Sequence, residues 1–179
     1  MYRALALIAL MGLPLLAGGT RPTVVPFESF QHAYQYGPFL ISAQPDLDLL
    51  KAAKADGVST VINLREDKEI REFEATHFKE EPAVRNLGMA YVRLPLGTKD
   101  SYRPEAVEAL AKAVAGAKGR VLIHCHSGAR ATLLLMAYLV RDKGMDLNSA
   151  IDLGRSMAFH FPLEGLLGAP VTFSLQPSK

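Results

Sequence analysis

From His124 to Arg130 the chain reads His-Cys-His-Ser-Gly-Ala-Arg and includes its only cysteine. These residue types at this spacing can hold an anion and attack it. The apolar run Arg120-Val121-Leu122-Ile123 predicts a strand just before them, and Ala131–Arg141 predicts a helix just after. A strand therefore ends at Cys125, and a helix begins about five residues later. Between them Gly128 relaxes the backbone, so that several N–H groups turn into one small bowl. The helix N-terminus adds partial positive charge and Arg130 a full one. Such a bowl binds a tetrahedral oxyanion and favours the thiolate form of a thiol at its base. The chemistry this allows is attack of sulfur on a phosphoryl group through a phosphocysteine.

Each residue of the segment has a role to fill. Cys125 is the nucleophile, since its place at a strand end before a glycine loop outweighs the usual reading of a lone cysteine as a small buried hydrophobe. Arg130 can grip two phosphoryl oxygens with its planar fork, and a cation in a first helical turn is otherwise unwelcome unless an anion lies nearby. His126, Ser127, Gly128, Ala129 and Ala131 supply the phosphate-facing backbone, and the hydroxyls of Ser127 and Thr132 can donate to thiolate or phosphate. Thr132 also reads as a plain helix residue. His124, at the end of an apolar strand, reads as a core histidine supporting the site. The leaving oxygen needs a proton, and Asp100 is the one carboxylate of the loop from Gly97 to Arg103, so it is the candidate acid. The competing reading is that Asp100 or Ser101 simply belongs to a turn. Glu66, Asp67, Glu72 and Glu74 read as a solvated helix face.

The elements that must position these residues alternate. Phe39-Leu40-Ile41-Ser42 is a strand, and Asp46 caps a helix that Gly57 ends. Val58–Leu64 is a β-branched strand, and residues 66–86 form one or two helices broken at Pro82. Tyr91–Pro95 is a third strand, Pro104 opens a helix through Ala115, and a helix starts at Asp146 after a stop at Gly144. Strands alternating with helices predict an α/β fold, a mostly parallel sheet flanked by helices on both faces. Ligands of such sheets sit beyond the carboxyl ends of the strands, where both Cys125 and Arg65 fall.

At 179 residues, 49% of them apolar and 21% charged, the chain has the make-up of one globular domain. A net charge of +2 offers no basic stripe for nucleic acid. A single cysteine excludes an intramolecular disulfide framework and a multi-cysteine zinc site. Arg3 followed by the uncharged run Ala4–Ala17 and by Gly18 and Gly19 predicts a signal peptide over residues 1–19. The run is too short to cross a bilayer and is interrupted by Pro14. The expected mature chain, periplasmic or secreted, then has an extended lead-in over 20–38, a domain over 39–167 and a tail over 168–179, with no stable membrane span. Oligomeric state is not readable.

Taken together, Cys125–Arg130, the strand end Val61-Ile62-Asn63-Leu64-Arg65 and the entry Ile41-Ser42-Ala43-Gln44-Pro45 resemble the dual-specificity-like cysteine phosphatases. They are most similar to the bacterial beta-lactamase-hydrolase-like, or DUF442, phosphatases. Tyr91-Val92-Arg93-Leu94-Pro95 and Ala150-Ile151-Asp152-Leu153-Gly154-Arg155 also fit that pattern, which runs from about Phe39 to Leu167. The resemblance implies a protein-tyrosine-phosphatase-like fold, Cys125 as nucleophile, Arg130 as phosphate arginine, a phosphorylated substrate, and neither metal nor organic cofactor. Typical protein-tyrosine phosphatases place five residues between cysteine and arginine, whereas here there are four. Ala131 stands where their arginine would be and Thr132 where their hydroxyl would be. The short loop is also like that of rhodaneses, so three readings stay open: a phosphatase, a sulfurtransferase using a Cys125 persulfide, and a non-catalytic oxyanion- or phosphoprotein-binding module.

Overall fold

The computed structural model describes residues 23–24, 30, 32–159 and 172–177. The signal-peptide reading of residues 1–19, much of the lead-in and the domain end at 167 lie outside the described residues. Six strands follow in chain order: β1 Thr23–Val24, β2 Ala33–Tyr36, β3 Phe39–Ser42, β4 Val58–Asn63, β5 Ala90–Arg93 and β6 Arg120–His124. Six α-helices accompany them: α1 Leu47–Ala55, α2 Asp67–Glu74, α3 Glu80–Asn86, α4 Pro104–Ala115, α5 Ala129–Lys143 and α6 Leu147–Arg155.

The strands form one sheet in the order β1-β2-β3-β6-β4-β5. The pairs β3–β6, β6–β4 and β4–β5 are parallel, and β1 and β2 add an antiparallel edge. β6 is central, which explains its uninterrupted apolar sequence: both of its faces are covered. Alternate residues go to opposite layers. Ile123 packs with Ile41, Ile62, Leu110 and Leu135 on one side, and Leu122 with Leu40, Leu50, Val61 and Val84 on the other. Each such buried aliphatic side chain stabilises the fold by about 1.5–3 kcal/mol.

The punctuation residues act as expected. Leu49 N donates to Asp46 Oδ1 at 2.7 Å to cap α1, and Ser149 N donates to Asp146 Oδ1 at 3.0 Å to cap α6. Pro104 is the first residue of α4, and Gly57 and Gly144 end α1 and α5 with φ of +86° and +67°.

Three expectations need correction. The lead-in is not merely extended, because Ala33–Tyr36 pairs with β3 as a sheet strand. Pro82 does not break a helix. It sits in the first turn of α3, where its missing N–H would have had no intrahelical partner, and the break falls between Glu74 and Glu80 instead. α5 also begins earlier than the apolar pattern indicated, at Ala129, because the loop runs directly into its first turn.

Candidate active site

The strand order places β6 between β3 and β4, so their following loops flank the loop that leaves β6. This is a topological switch point, where an α/β sheet opens a crevice. Gln44 and Arg65 come from the flanking loops. Gln44 N donates to His126 O at 3.1 Å and Leu64 N donates to His124 O at 2.9 Å, which pins the Cys125 loop on both sides.

Cys125 is fully buried at the floor of this loop, and Gly128 N–H donates to its Sγ at 3.2 Å. Gly128 has φ +88° and ψ −19°, a left-handed conformation that lets the next turn begin as α5. A Cβ on Gly128 would lie 3.3 Å from Ala158 Cβ and 3.5 Å from Ala43 N, a tight fit added to the strain of the positive φ. His126, Ser127 and Ala129 are exposed on the loop, whereas Ala131 is buried in the core. Thr132 is fully buried one turn into α5, and its Oγ1 has no hydrogen-bond partner among the described residues.

Arg130 occupies the first turn of α5, where a cation is unfavourable without a counter-charge. The protein supplies one. Arg130 Nη1 donates to Glu69 Oε2 at 2.8 Å and Nη2 to Glu69 Oε1 at 2.6 Å, while Nη1 also donates to Leu96 O at 3.2 Å. The hydrogen bond from Arg130 overcomes partial burial and holds the Glu69 carboxyl down at about 2. The same bond, with the facing Cys125, holds Arg130 firmly protonated. Of the five guanidinium donors, those to Glu69 and Leu96 use three. Nε–H and one Nη2–H remain, and these two form the other forked edge, suited to two oxygens of an oxyanion.

Glu69, which holds Arg130, is not among the residues that the sequence singles out. Its local pattern is that of a helix start: Glu66 N donates to Glu69 Oε2 at 2.8 Å in a capping box. Nothing local signals a partner 61 residues away.

His124 lies on the opposite face of β6 from Cys125, fully buried, with Nε2 2.6 Å from Glu80 Oε1. The two atoms are in close polar contact, with Nε2 not aligned along an N–H direction toward the carboxylate. Glu80 Oε2 accepts from Gln44 Nε2 at 2.7 Å and from Asn63 Nδ2 at 3.4 Å, and Asn63 Nδ2 also donates to Tyr91 Oη at 2.8 Å. Burial pushes the Glu80 carboxyl up, but His124 and Gln44 outweigh it and leave it below the usual carboxylate range. His124 is thus a core histidine with a buried acidic partner.

Asp100 sits in a 3-10 turn, Lys99–Ser101, after β5. It is exposed and forms no hydrogen bond or ion pair among the described residues. Ser101 is the residue that makes the turn: Gly97 N donates to Ser101 Oγ at 3.1 Å and Ser101 Oγ donates to Thr98 O at 2.6 Å. The loop joins the site through Leu96, whose carbonyl accepts from Arg130. Among the described residues no group of three or more His, Cys, Asp or Glu side chains is arranged to hold a metal ion. No helix is long and apolar enough to cross a membrane, again among the described residues.

Comparison with known proteins agrees with this geometry. The beta-lactamase hydrolase-like proteins of Xylella fastidiosa strains Temecula1 and 9a5c are 34% identical over 120 residues, covering 66% of this chain and 27% of theirs. The chain thus spans about a quarter of the length of these curated relatives. A crystal structure of a DUF442 protein from Shewanella putrefaciens CN-32 superposes with a TM-score of 0.56 at 28% identity, over 69% of this chain and 78% of that one. P. aeruginosa TpbA in complex with phosphotyrosine superposes with a TM-score of 0.57 at 19% identity, over 75% and 77% of the two chains. The fold is therefore that of the protein-tyrosine-phosphatase-like proteins, an α/β sheet with the cysteine loop at its carboxyl edge. Residues 36–138 match the domain family described as "Beta-lactamase hydrolase-like protein, phosphatase-like domain", and the chain belongs to that family.

Proposed function

We propose that this chain is a cysteine-dependent phosphatase that hydrolyses a phosphomonoester. The observation that carries the reading is the Gly128 N–H aimed at Cys125 Sγ, 3.2 Å away, at the start of a helix whose first turn bears Arg130. Sulfur, amide and guanidinium then converge on the place where a tetrahedral oxyanion would sit.

In the first step Cys125 Sγ, as thiolate, attacks phosphorus. An S–P bond forms, the P–O bond to the leaving group breaks, and Asp100 gives its proton to the departing oxygen. The free edge of Arg130 and the loop amides hold the equatorial oxygens as charge shifts among them. In the second step Asp100 takes a proton from water, the water oxygen attacks phosphorus, the S–P bond breaks, and inorganic phosphate leaves with the thiolate restored. The Thr132 hydroxyl donates to that returning thiolate. Phosphotyrosine, which TpbA holds in its crystal complex, is the first substrate to try. We also propose that the protein works outside the cytoplasm after cleavage near residue 19, which sequencing the N-terminus of the mature chain tests.

The deciding experiment compares hydrolysis of an aryl phosphate with sulfur transfer from thiosulfate to cyanide, using Cys125→Ser as control. Phosphate release that is lost in Cys125→Ser supports the reading. Sulfur transfer without phosphate release replaces it with a persulfide carrier. Oxyanion binding with neither activity replaces it with a binding module.

A further inference from the structure

Arg65 lies two residues beyond the end of β4, is only 6% exposed, and directs its side-chain hydrogen bonds to Gln44 and Glu69. A buried guanidinium loses hydration and must recover it from specific partners. Two of its contacts lead toward Arg130 through Glu69. Arg65 Nη2 donates to the Glu69 backbone O at 2.8 Å, and Nε lies 3.7 Å from Glu69 Oε1. Nη1 donates to Gln44 Oε1 at 2.5 Å, which anchors the other end of the group, and the guanidinium lies 5.4 Å from the centre of the Phe73 ring. Arg65 therefore hydrogen-bonds the backbone of the residue that grips Arg130 and lies within ion-pair range of its carboxylate.

We propose that Arg65 is a positioning residue for Arg130, acting through Glu69. A carboxylate on the first turn of an otherwise exposed helix has several rotamers, and only one presents both oxygens to Arg130. With the Arg130 fork on one side, the Glu66 N–H on Oε2 at 2.8 Å and the Arg65 charge on the other side, Glu69 is confined to that rotamer, and Arg130 is confined with it. The edge Nε–Nη2 of Arg130 is thereby aimed before any anion arrives, so less conformational entropy is lost on binding. This inference rests on the oxyanion-binding reading of the loop but not on turnover.

The test measures tungstate binding by calorimetry in the Cys125→Ser protein, where chemistry is absent, and steady-state kinetics in the otherwise unchanged chain. Arg65→Gln, Arg65→Lys, Glu69→Gln and the Arg65→Lys/Glu69→Gln pair are compared. Each single substitution is expected to weaken tungstate binding about tenfold, the scale of one charge-assisted contact. The pair is expected to be no weaker than Glu69→Gln alone, because both act on one rotamer. Arg65→Lys retains the buried charge without the fork, so it carries the test if Arg65→Gln does not fold. A lowered melting temperature with unchanged tungstate affinity, losses that multiply in the pair, or tighter binding in any variant would overturn the proposal. Tungstate binding with the expected coupling but no phosphate release would overturn the phosphatase reading and leave this one standing. Phosphate release with no coupling would do the reverse.

Discussion

Glu69 and Arg130, 61 residues apart in the chain, meet as a two-pronged ion pair of 2.6 and 2.8 Å at the N-terminus of α5. The pair solves an electrostatic problem that the sequence poses, a cation placed where the helix dipole opposes it. It also gives the stability of the protein a defined acid dependence. The ordinary carboxyl value of 4.5 falls to about 2 in the folded chain. A lowered value means stabilisation that is present above the unfolded value and is lost as pH falls toward the folded one. Denaturant titrations should therefore show Glu69→Gln less stable than the parent at neutral pH, with the difference shrinking between pH 4.5 and 2. A gap that does not depend on pH contradicts this account of the pair.

Arg130→Lys should keep the charge and lose the function. A lysine cannot serve Glu69 with one edge and an oxyanion with the other, so kcat/KM for an aryl phosphate should fall by about a hundredfold or more. Steady-state kinetics on the two proteins decides it, and a loss under fivefold would mean that the fork is not used.

Glu80→Ala removes the carboxylate beside buried His124 and takes one acceptor from Gln44 and one from Asn63, which keep Pro45 O and Tyr91 Oη. Taking an acceptor from buried donors costs about 1–3 kcal/mol, so chemical denaturation should show a loss of that order. Because the folded Glu80 value is lowered, its contribution is present above the usual carboxylate range and fades as pH drops below it. A loss under about 1 kcal/mol would mean the pair merely tolerates burial.

Gly128→Ala should damage both folding and activity. A left-handed φ of +88° costs a non-glycine residue about 1–2 kcal/mol, and the new methyl meets Ala158 and the Ala43 backbone. The measurable result is a lower denaturation midpoint together with weaker oxyanion binding, since the amide over Cys125 shifts. Parent-like values for both would show the loop to be more accommodating than its geometry indicates.

Asp100→Asn isolates the proton donor. Its kcat should fall by about a hundredfold for a substrate with a poor leaving group, and the limb of the pH–rate profile that reports the acid should disappear. An unchanged profile assigns the proton to another group and returns Asp100 to the turn it occupies.

Cys125, Gly128 and Arg130 were legible in the sequence because their signals are local: an apolar strand, a glycine and a helix start within one short stretch. Most element ends were legible for the same reason, with Asp46, Asp146 and Pro104 starting helices where they stand and Gly57 and Gly144 ending them. Pro82 was misread since the same residue that breaks a helix interior is welcome in its first turn. Asp100 lies on the loop that reaches Arg130 through the Leu96 carbonyl, but its neighbour Ser101, not Asp100, holds the turn's hydrogen bonds.

The strand, the cysteine, the glycine and the arginine of the loop, and with them the kind of anion chemistry available, were determined by the sequence alone. Only the tertiary structure decided what holds that loop: Glu69 on Arg130, Arg65 and Gln44 behind Glu69, and Glu80 beneath His124. The reason is range. Backbone propensity and capping act within a turn or two of the chain, whereas a charge chooses its partner by distance in space, and that distance is set by the strand order that brings β3, β6 and β4 side by side.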